Sequence, residues 1–419
     1  MPRITVGRAL AALALPAAML VGLRKLTQAE AGVPAAPEAL PSPAGPGSAE
    51  PNIAIGPDGR VYLSWMEPAD SAFALRFSSL DGDRWTTPTT IRIGRDFFVN
   101  WADFPSLEVL RGGQITAHWL QRTGASTYAY GVRIALSADK GRSWSPAIRP
   151  HTDSSNTEHG FVSMWREENG LGAVWLDGRK FNKEGHSPSN EMTLMSATFQ
   201  PNGRVATAEA MLDARVCDCC QTAAAVTSRG PVVVYRDRSP DEIRDMYVVR
   251  REAVRGAAPR WSAPVPVHND GWKVNFCPVN GPAIAAVDEQ VAVAWFTAAQ
   301  DSARVRLAFS RDAGATFGPP VRIDNGNPAG RVDVAMLPNG SALVSWIERI
   351  RGDTAAVRVR RVRPDGSAGA PVTIASSSAA RASGFPRMGL TRTHAIFAWT
   401  APGKPSRVQV ARIRLRDLE

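Results

Sequence analysis

Short apolar runs that end in an aromatic residue recur along the chain at nearly constant spacing. Each run has the length of one strand and is rich in Val, Ile and Trp, and turn residues such as Pro57-Asp58-Gly59-Arg60 precede it. Buried strands that follow hairpin turns have this pattern. The final residues lie 51 to 60 positions apart and are Trp65, Trp119, Trp175, Tyr235, Trp295, Trp346 and Trp399.

The period of these aromatic markers predicts a β-propeller. Four short strands fit in each period, which is typical of one propeller blade. Seven runs predict seven four-stranded blades, and a six-bladed ring with an extra hairpin is the alternative. After Trp399 there is room for only one more strand, roughly Arg407 to Arg414. We therefore expect a strand from the segment before Asn52 to complete the last blade and close the ring.

Two copies of one turn motif, S-x-D-x-G-x-[S/T]-aromatic, support a repeated architecture. They run from Ser137 to Trp144 and from Ser310 to Phe317, 173 residues apart. Asp supplies a side-chain hydrogen bond to the backbone, and Gly supplies the positive φ of a tight turn. The separation equals about three blade periods, so we expect equivalent outer turns in blades two and five.

Composition fits one large all-β domain over residues 51–419. The chain has 419 residues, of which 44% are apolar, and contains 35 Gly and 32 Pro. It is too apolar for a disordered protein and too rich in turn residues for a helical one. The net charge of +10 comes from scattered arginines. Because no base-stacking module is visible, we expect no nucleic-acid partner.

The N-terminal residues indicate export. Arg3 and Arg8 precede an apolar run from Ala9 to Leu23, and Ala29-Glu30-Ala31 resembles a cleavage site. This pattern predicts a signal peptide over residues 1–31 and a periplasmic or secreted protein, with an uncleaved anchor as the alternative. Residues 32–50 have a linker composition. After processing we expect a monomer without a stable membrane span.

Candidate functional residues lie about 13 to 18 positions before the aromatic markers. In a propeller this phase corresponds to the start of the first strand of a blade, at the mouth of the central channel. Carboxylates there could act as general acid and base, and arginines could bind an anionic ligand. The carboxylates of this group are Asp103, Glu158 and Asp333, and the arginines are Arg331 and Arg387, with Arg236 and Arg238 just beyond a second strand.

All four cysteines have this same phase. Cys217 and Cys277 each lie 18 residues before their marker, and Cys219 and Cys220 follow Cys217 closely. We therefore expect the four sulfur atoms to cluster. The sequence leaves three alternatives open: disulfides, redox chemistry, or a Cu(I) or Zn(II) site to which His159, one blade earlier, contributes.

The turn motifs and the blade period resemble the Asp boxes of the sialidase superfamily of BNR-repeat propellers, over about residues 51 to 415. The resemblance implies a sialidase-like fold and a carbohydrate or other small anionic ligand. It also implies an exo-α-sialidase-like glycosidase with three arginines on the sugar carboxylate, an Asp acid/base and a Tyr–Glu nucleophile pair. The sequence departs from that pattern, because it has no F/Y-R-I-P string and no tyrosine after Tyr247. Tyr247 is the candidate nucleophile. A non-catalytic ligand-, metal- or protein-binding propeller organised by the cysteines is the alternative.

Overall fold

The structure, a computed structural model, describes residues 36–181, 189–254 and 256–419, so the predicted signal peptide lies outside the described residues. Antiparallel strands form seven sheets arranged as the blades of a propeller, as predicted. The six-bladed alternative is wrong. Within the described ranges, no helix is long and apolar enough to cross a membrane.

The strands follow in chain order. Strand β1 is Glu38–Leu40. Blade one contains β2 Ala49–Ile55, β3 Val61–Ala69, β4 Ala72–Asp81, β5 Arg84–Trp85 and β6 Thr89–Gly94; blade two contains β7 Ser106–Val109, β8 Ile115–Arg122 and β9 Tyr130–Ser137. Blade three contains β10 His159–Glu167, β11 Gly170–Asp177, β12 Met192–Phe199 and β13 Val205–Val216.

The second half of the chain repeats this plan. Blade four contains β14 Ala223–Thr227, β15 Gly230–Arg236, β16 Met246–Val254, β17 Ala257–Trp261 and β18 Val265–His268; blade five contains β19 Ala283–Val287, β20 Gln290–Thr297, β21 Arg304–Ser310 and β22 Val321–Arg322. Blade six contains β23 Pro328–Met336, β24 Ala342–Arg351, β25 Thr354–Val362 and β26 Val372–Ser378; blade seven contains β27 Arg387–Leu390, β28 His394–Ala401 and β29 Arg407–Arg414. Short 3-10 turns are Ala299–Asp301, Arg381–Ser383 and Leu415–Leu418.

Strand β1 completes blade seven and closes the ring. It pairs antiparallel with β29, with Leu40 opposite Val410, and the order in the sheet is β1-β29-β28-β27. The predicted closing strand is thus confirmed. It lies within residues 36–50, which belong to the segment predicted as a linker. The Gly47 N–H also donates to the Ser406 carbonyl, so both ends of the described chain are held in one blade.

The aromatic markers all lie in the second strand of their blades and are buried there. Four tryptophans among them donate their indole N–H to a carboxylate, as Trp65 does to Glu67 at 2.7 Å and Trp175 to Asp177 at 2.9 Å. A buried indole N–H needs such an acceptor. This explains why an acidic residue often follows a marker at the second position.

The two motif turns have the same hydrogen bonds. Asp139 Oδ1 accepts from the Ser143 N–H at 2.8 Å, and Asp312 Oδ1 accepts from the Thr316 N–H at 2.9 Å. In each turn the serine hydroxyl bonds to the same carboxylate and accepts from the glycine N–H. Both turns follow the third strand of their blade, β9 or β21, and so lie away from the channel.

Candidate functional site at the channel mouth

The seven first strands and the segments that precede them surround a cavity of about 250 Å³. β-Bulges occur at the start of three of these strands, where Glu50, Phe161 and Arg331 have positive φ angles of 52° to 58°. Bulges redirect side chains and are common beside functional sites. All seven blades contribute residues to the lining, among them Asp103, Asp333 and Arg387.

Four side chains at this mouth join neighbouring blades. Each accepts a hydrogen bond from a backbone N–H of the following blade. The side chain thereby gives a partner to an N–H that lies outside the regular hydrogen-bond ladder between strands. Two of them, Gln221 and Asn280, were not singled out from the sequence, although they have the same phase as the cysteines. The donor and acceptor atoms are Phe161 N to Asp103 Oδ1 at 2.7 Å, Gly281 N to Gln221 Oε1 at 2.9 Å, Arg331 N to Asn280 Oδ1 at 2.7 Å, and Met388 N to Asp333 Oδ2 at 2.8 Å.

Asp103 and Glu158 share a tyrosine that sequence reasoning missed. The Tyr130 hydroxyl lies 2.7 Å from Glu158 Oε1 and 3.2 Å from Asp103 Oδ2, and its ring stacks on Phe98. Burial raises the pKa of Asp103 to about 7, against the hydrogen bonds from Phe161 and Tyr130. Tyr130 is only 1% exposed, so its hydroxyl is closed to substrate, whereas Asp103 lines the cavity.

The raised pKa of Asp103 predicts a pH dependence of stability. The folded state holds a proton that the unfolded chain releases above its ordinary value of 3.8, so stability is lost as pH rises from 3.8 through about 7. An Asp103→Asn variant keeps the acceptor for the Phe161 N–H without this titration. Between about pH 5 and about pH 8 the unfolding free energy of the wild type should decrease by about 1 to 3 kcal/mol more than that of the variant. Urea titrations across this pH range measure the difference. Parallel profiles would contradict this.

Two of the predicted ligand-binding arginines are bound to backbone carbonyls instead. Arg236 is 2% exposed and donates to the carbonyls of Asn280, Arg244 and Phe296 at 2.6 to 3.2 Å. Arg331 donates to the carbonyls of Ala379, Ala380 and Gly384 at 2.9 to 3.2 Å. These arginines hold the blades together, and their donor groups face the protein.

The other two predicted arginines differ in exposure. Arg238 is buried, pairs with Glu242 at 2.8 Å and donates to the Asn190 carbonyl. The Arg387 side chain is 27% exposed, lines the cavity, and lies 3.4 Å from Asp333 Oδ2. The atom in this ion pair is Nε, which is buried and has no closer hydrogen-bond acceptor among the described residues. Arg387 is therefore the predicted arginine that is partly exposed at the cavity.

An aromatic patch, defined as Trp101, Phe104 and Phe385, lies beside Arg387. The Trp101 and Phe385 rings stack with centroids 5.9 Å apart, and Phe104 lies 5.8 Å from Phe385. The Arg387 guanidinium is 5.8 Å from the Phe104 centroid. Trp101 and Phe104 are half-buried, so the patch presents apolar surface at the mouth.

Tyr247, the candidate nucleophile, lies elsewhere. It is in β16, opposite Tyr235 of β15, and it is not among the residues that line the cavity. Burial raises the pKa of its hydroxyl, and the nearby carboxylate of Asp237 adds to this effect. A higher pKa opposes the ionisation that a nucleophile needs. The structure does not bring Tyr247 together with the channel carboxylates.

The four cysteines lie together, and no disulfide joins them in the described structure. Cys217 Sγ is 3.3 Å from Cys220 Sγ and 3.9 Å from Cys219 Sγ. Cys277 Sγ is 3.6 Å from the Asp218 carboxylate and belongs with Asp218 and Cys219 to a second compact group. Cys217 and Cys277 lie at the same distance from their aromatic markers, and this predicted that sulfur atoms from segments 60 residues apart in the sequence are neighbours.

His159 is not part of this thiol group. Its Nε2 lies 2.9 Å from Asp153 and 3.5 Å from Asp177, and its ring stacks on His151. Its Nδ1 lies 3.0 Å from the Thr157 carbonyl. Both ring nitrogens therefore have partners away from the cysteines, and the metal-ligand role predicted for His159 with the thiols is not assembled.

Comparisons with solved structures agree with the fold. No known family model matches the sequence, and no curated protein sequence matches it significantly. A protein of unknown function from Dyadobacter fermentans is 14% identical, with 91% of this chain and 98% of that chain covered and a TM-score of 0.51. The polysaccharide lyase Uly1 is 8% identical, with 85% and 88% covered and a TM-score of 0.50. The Hadza microbial sialidase Hz136 is 12% identical, with 84% and 75% covered and a TM-score of 0.49.

At these identities the comparisons show the fold alone. Together with the seven blades, they show that the chain is a seven-bladed β-propeller.

Proposed function

We propose that this chain is an exported propeller that binds an acidic sugar at the channel mouth. The observation that carries the proposal is Arg387, a partly exposed arginine that lines a cavity shared by all seven blades. Pockets with apolar walls and a few convergent polar groups are typical ligand sites.

Arg387 and the aromatic patch supply the two kinds of contact that an acidic sugar needs. A planar guanidinium matches a carboxylate with two parallel hydrogen bonds. Phe104, which is half-buried and lines the cavity, can cover the apolar face of a sugar ring. The ion pair of Arg387 with Asp333, at 3.4 Å, is made by Nε, which leaves the two Nη groups of the guanidinium for a ligand carboxylate.

The carboxylates favour binding over hydrolysis. Glycoside hydrolysis uses one carboxylic acid and one carboxylate that both face the sugar. Both oxygens of Asp103 already accept hydrogen bonds, from Phe161 and Tyr130. Both oxygens of Asp333 accept backbone N–H groups, from Val334 and Met388. These groups hold the mouth in shape, which suits a binding site.

Two further observations support the proposal. Uly1, which has a similar fold, is named a polysaccharide lyase. Export is supported by the sequence alone, through Arg3, Arg8 and the apolar run from Ala9 to Leu23. An extracellular or periplasmic location would bring the channel mouth into contact with acidic polysaccharides.

Arg387→Gln should weaken binding of an acidic oligosaccharide by at least about tenfold, because a charge-assisted pair is lost. Calorimetric titration with sialylated and uronate-containing oligosaccharides, and with neutral ones of equal length, measures this. The matched control is Arg311→Gln, in the outer turn of blade five, which should bind as the wild type does. Equal affinities of wild type and Arg387→Gln would contradict the site. Release of sugar products from the same mixtures would contradict binding without hydrolysis.

A further inference from the structure

The thiol cluster, defined as Cys217, Cys219, Cys220 and Cys277, has chemistry that a sugar site does not use. The sulfur atoms of Cys217, Cys219 and Cys220 all lie within 4.8 Å of one another. These three residues are 1%, 5% and 2% exposed. Three thiols so close together in a dry interior can direct their sulfur atoms at one common centre.

Arginines and carboxylates both lie beside the cluster. Arg244 Nη1 lies 3.4 Å from Cys217 Sγ, and the same guanidinium pairs with Glu242 at 2.9 Å and with Asp218 at 3.6 Å. Arg236 is buried, its carbonyl accepts from the Cys217 N–H at 3.0 Å, and its guanidinium bonds only to neutral carbonyls among the described residues. A buried cation is costly unless an anion lies nearby. Arg236 therefore suits a neighbouring cluster that carries negative charge.

We propose that Cys217, Cys219 and Cys220 bind one copper(I) ion as thiolates, with Cys277 at the entrance of the site. Soft thiolate ligands favour copper(I). Structural zinc is almost always four-coordinate. Cys277 is grouped with Asp218 and Cys219, separately from the group of three thiols, so a compact set of four sulfurs is not preformed. Cys277 is also the half-buried member of the cluster.

Binding needs no electron transfer. Three sulfur–copper bonds form, and the three thiol protons leave to solvent, so copper stays monovalent. Three thiolates and one monovalent cation carry two net negative charges, which Arg236 offsets in part, while Arg244 is shared with Glu242 and Asp218. The half-buried Cys277 thiol can accept the ion first and pass it to Cys219, its neighbour in the second group.

Copper(I) itself is the probe in the test. The purified full chain, fully reduced and kept without oxygen, is loaded with copper(I) or with zinc(II) and desalted, and retained metal is measured by mass spectrometry. We expect about one copper per chain, held against a copper(I)-specific chelator. Cys217→Ser and Cys220→Ser should each lower retained copper at least about tenfold. Cys277→Ser should retain about one copper but load more slowly.

Several results would overturn this assignment. They are one zinc per chain retained in preference to copper, loss of copper in Cys277→Ser as complete as in Cys220→Ser, or disulfides that resist reduction in the folded protein. Thermal unfolding checks that the variants fold. Should the serine variants not fold, copper-edge X-ray absorption of the loaded wild type decides: a shell of sulfur atoms alone supports the site, and nitrogen or oxygen ligands contradict it. Neither readout depends on sugar binding.

Discussion

Removal of residues 1–44 will open the propeller ring and lower the unfolding free energy by about 3 to 5 kcal/mol or abolish folding. The deletion takes away β1, whose Leu40 packs with Trp65 and Val410 in the core between blades seven and one. It also exposes the edge of β29, and an unpaired edge strand promotes aggregation. Urea unfolding together with size-exclusion chromatography measures both effects.

A shorter deletion provides the control. Removal of residues 1–35 leaves β1 and its pairing with β29 in place, so the urea midpoint should stay close to that of the full chain. If the longer deletion does not fold, Leu40→Ala in the full chain should still cost about 2 to 5 kcal/mol. Equal midpoints for the two deletions would show that β1 does not close the ring.

Arg331→Ala should destabilise the fold by about 3 kcal/mol, because it leaves two buried carbonyl groups and one more exposed carbonyl without their donor. Those carbonyls belong to Ala379, Ala380 and Gly384, in the connection from blade six to blade seven. The loss of the Arg331 guanidinium, 4.9 Å from the Trp101 centroid, adds to the effect. Urea titration of the purified variant measures the change.

Arg387→Gln provides the contrast, since the Arg387 side chain is partly exposed and contacts one carboxylate at 3.4 Å. Its unfolding free energy should fall by about 1 kcal/mol or less. We therefore expect Arg331 to matter mainly for stability and Arg387 mainly for ligand binding. A stable Arg331→Ala protein that has lost sugar binding would reverse these assignments and restore the role predicted from the sequence.

The propeller architecture could be predicted from the sequence because each blade buries the same strand, and this produces the same apolar pattern in every blade. Each marker is the aromatic residue at the same place in the second strand of a blade, so its spacing gave seven blades. The space after Trp399 allowed one strand, which predicted a strand from the other end of the chain. Equal phase likewise placed Cys217 and Cys277 at one end of neighbouring blades.

The partners of the charged residues could not be predicted in this way. The number of positions between a residue and its aromatic marker predicts the height of that residue along the channel. It does not predict the direction in which the side chain points. Arg331 bonds to carbonyls 48 to 53 residues away, and nothing in the sequence marks a backbone carbonyl as unpaired. Tyr130 lies at the start of a third strand, outside the compared segments, so its contact with Glu158 was missed.

A crystal structure of the protein with a bound acidic oligosaccharide is the most direct measurement. We expect density for one sugar at the channel mouth, with its ring on Phe104 and its carboxylate within hydrogen-bond distance of the Arg387 guanidinium. Asp103 and Asp333 should keep their hydrogen bonds to Phe161 and Met388. Density at another surface, or a sugar carboxylate bound by Arg236 and Arg331 at the mouth, would contradict the proposed site.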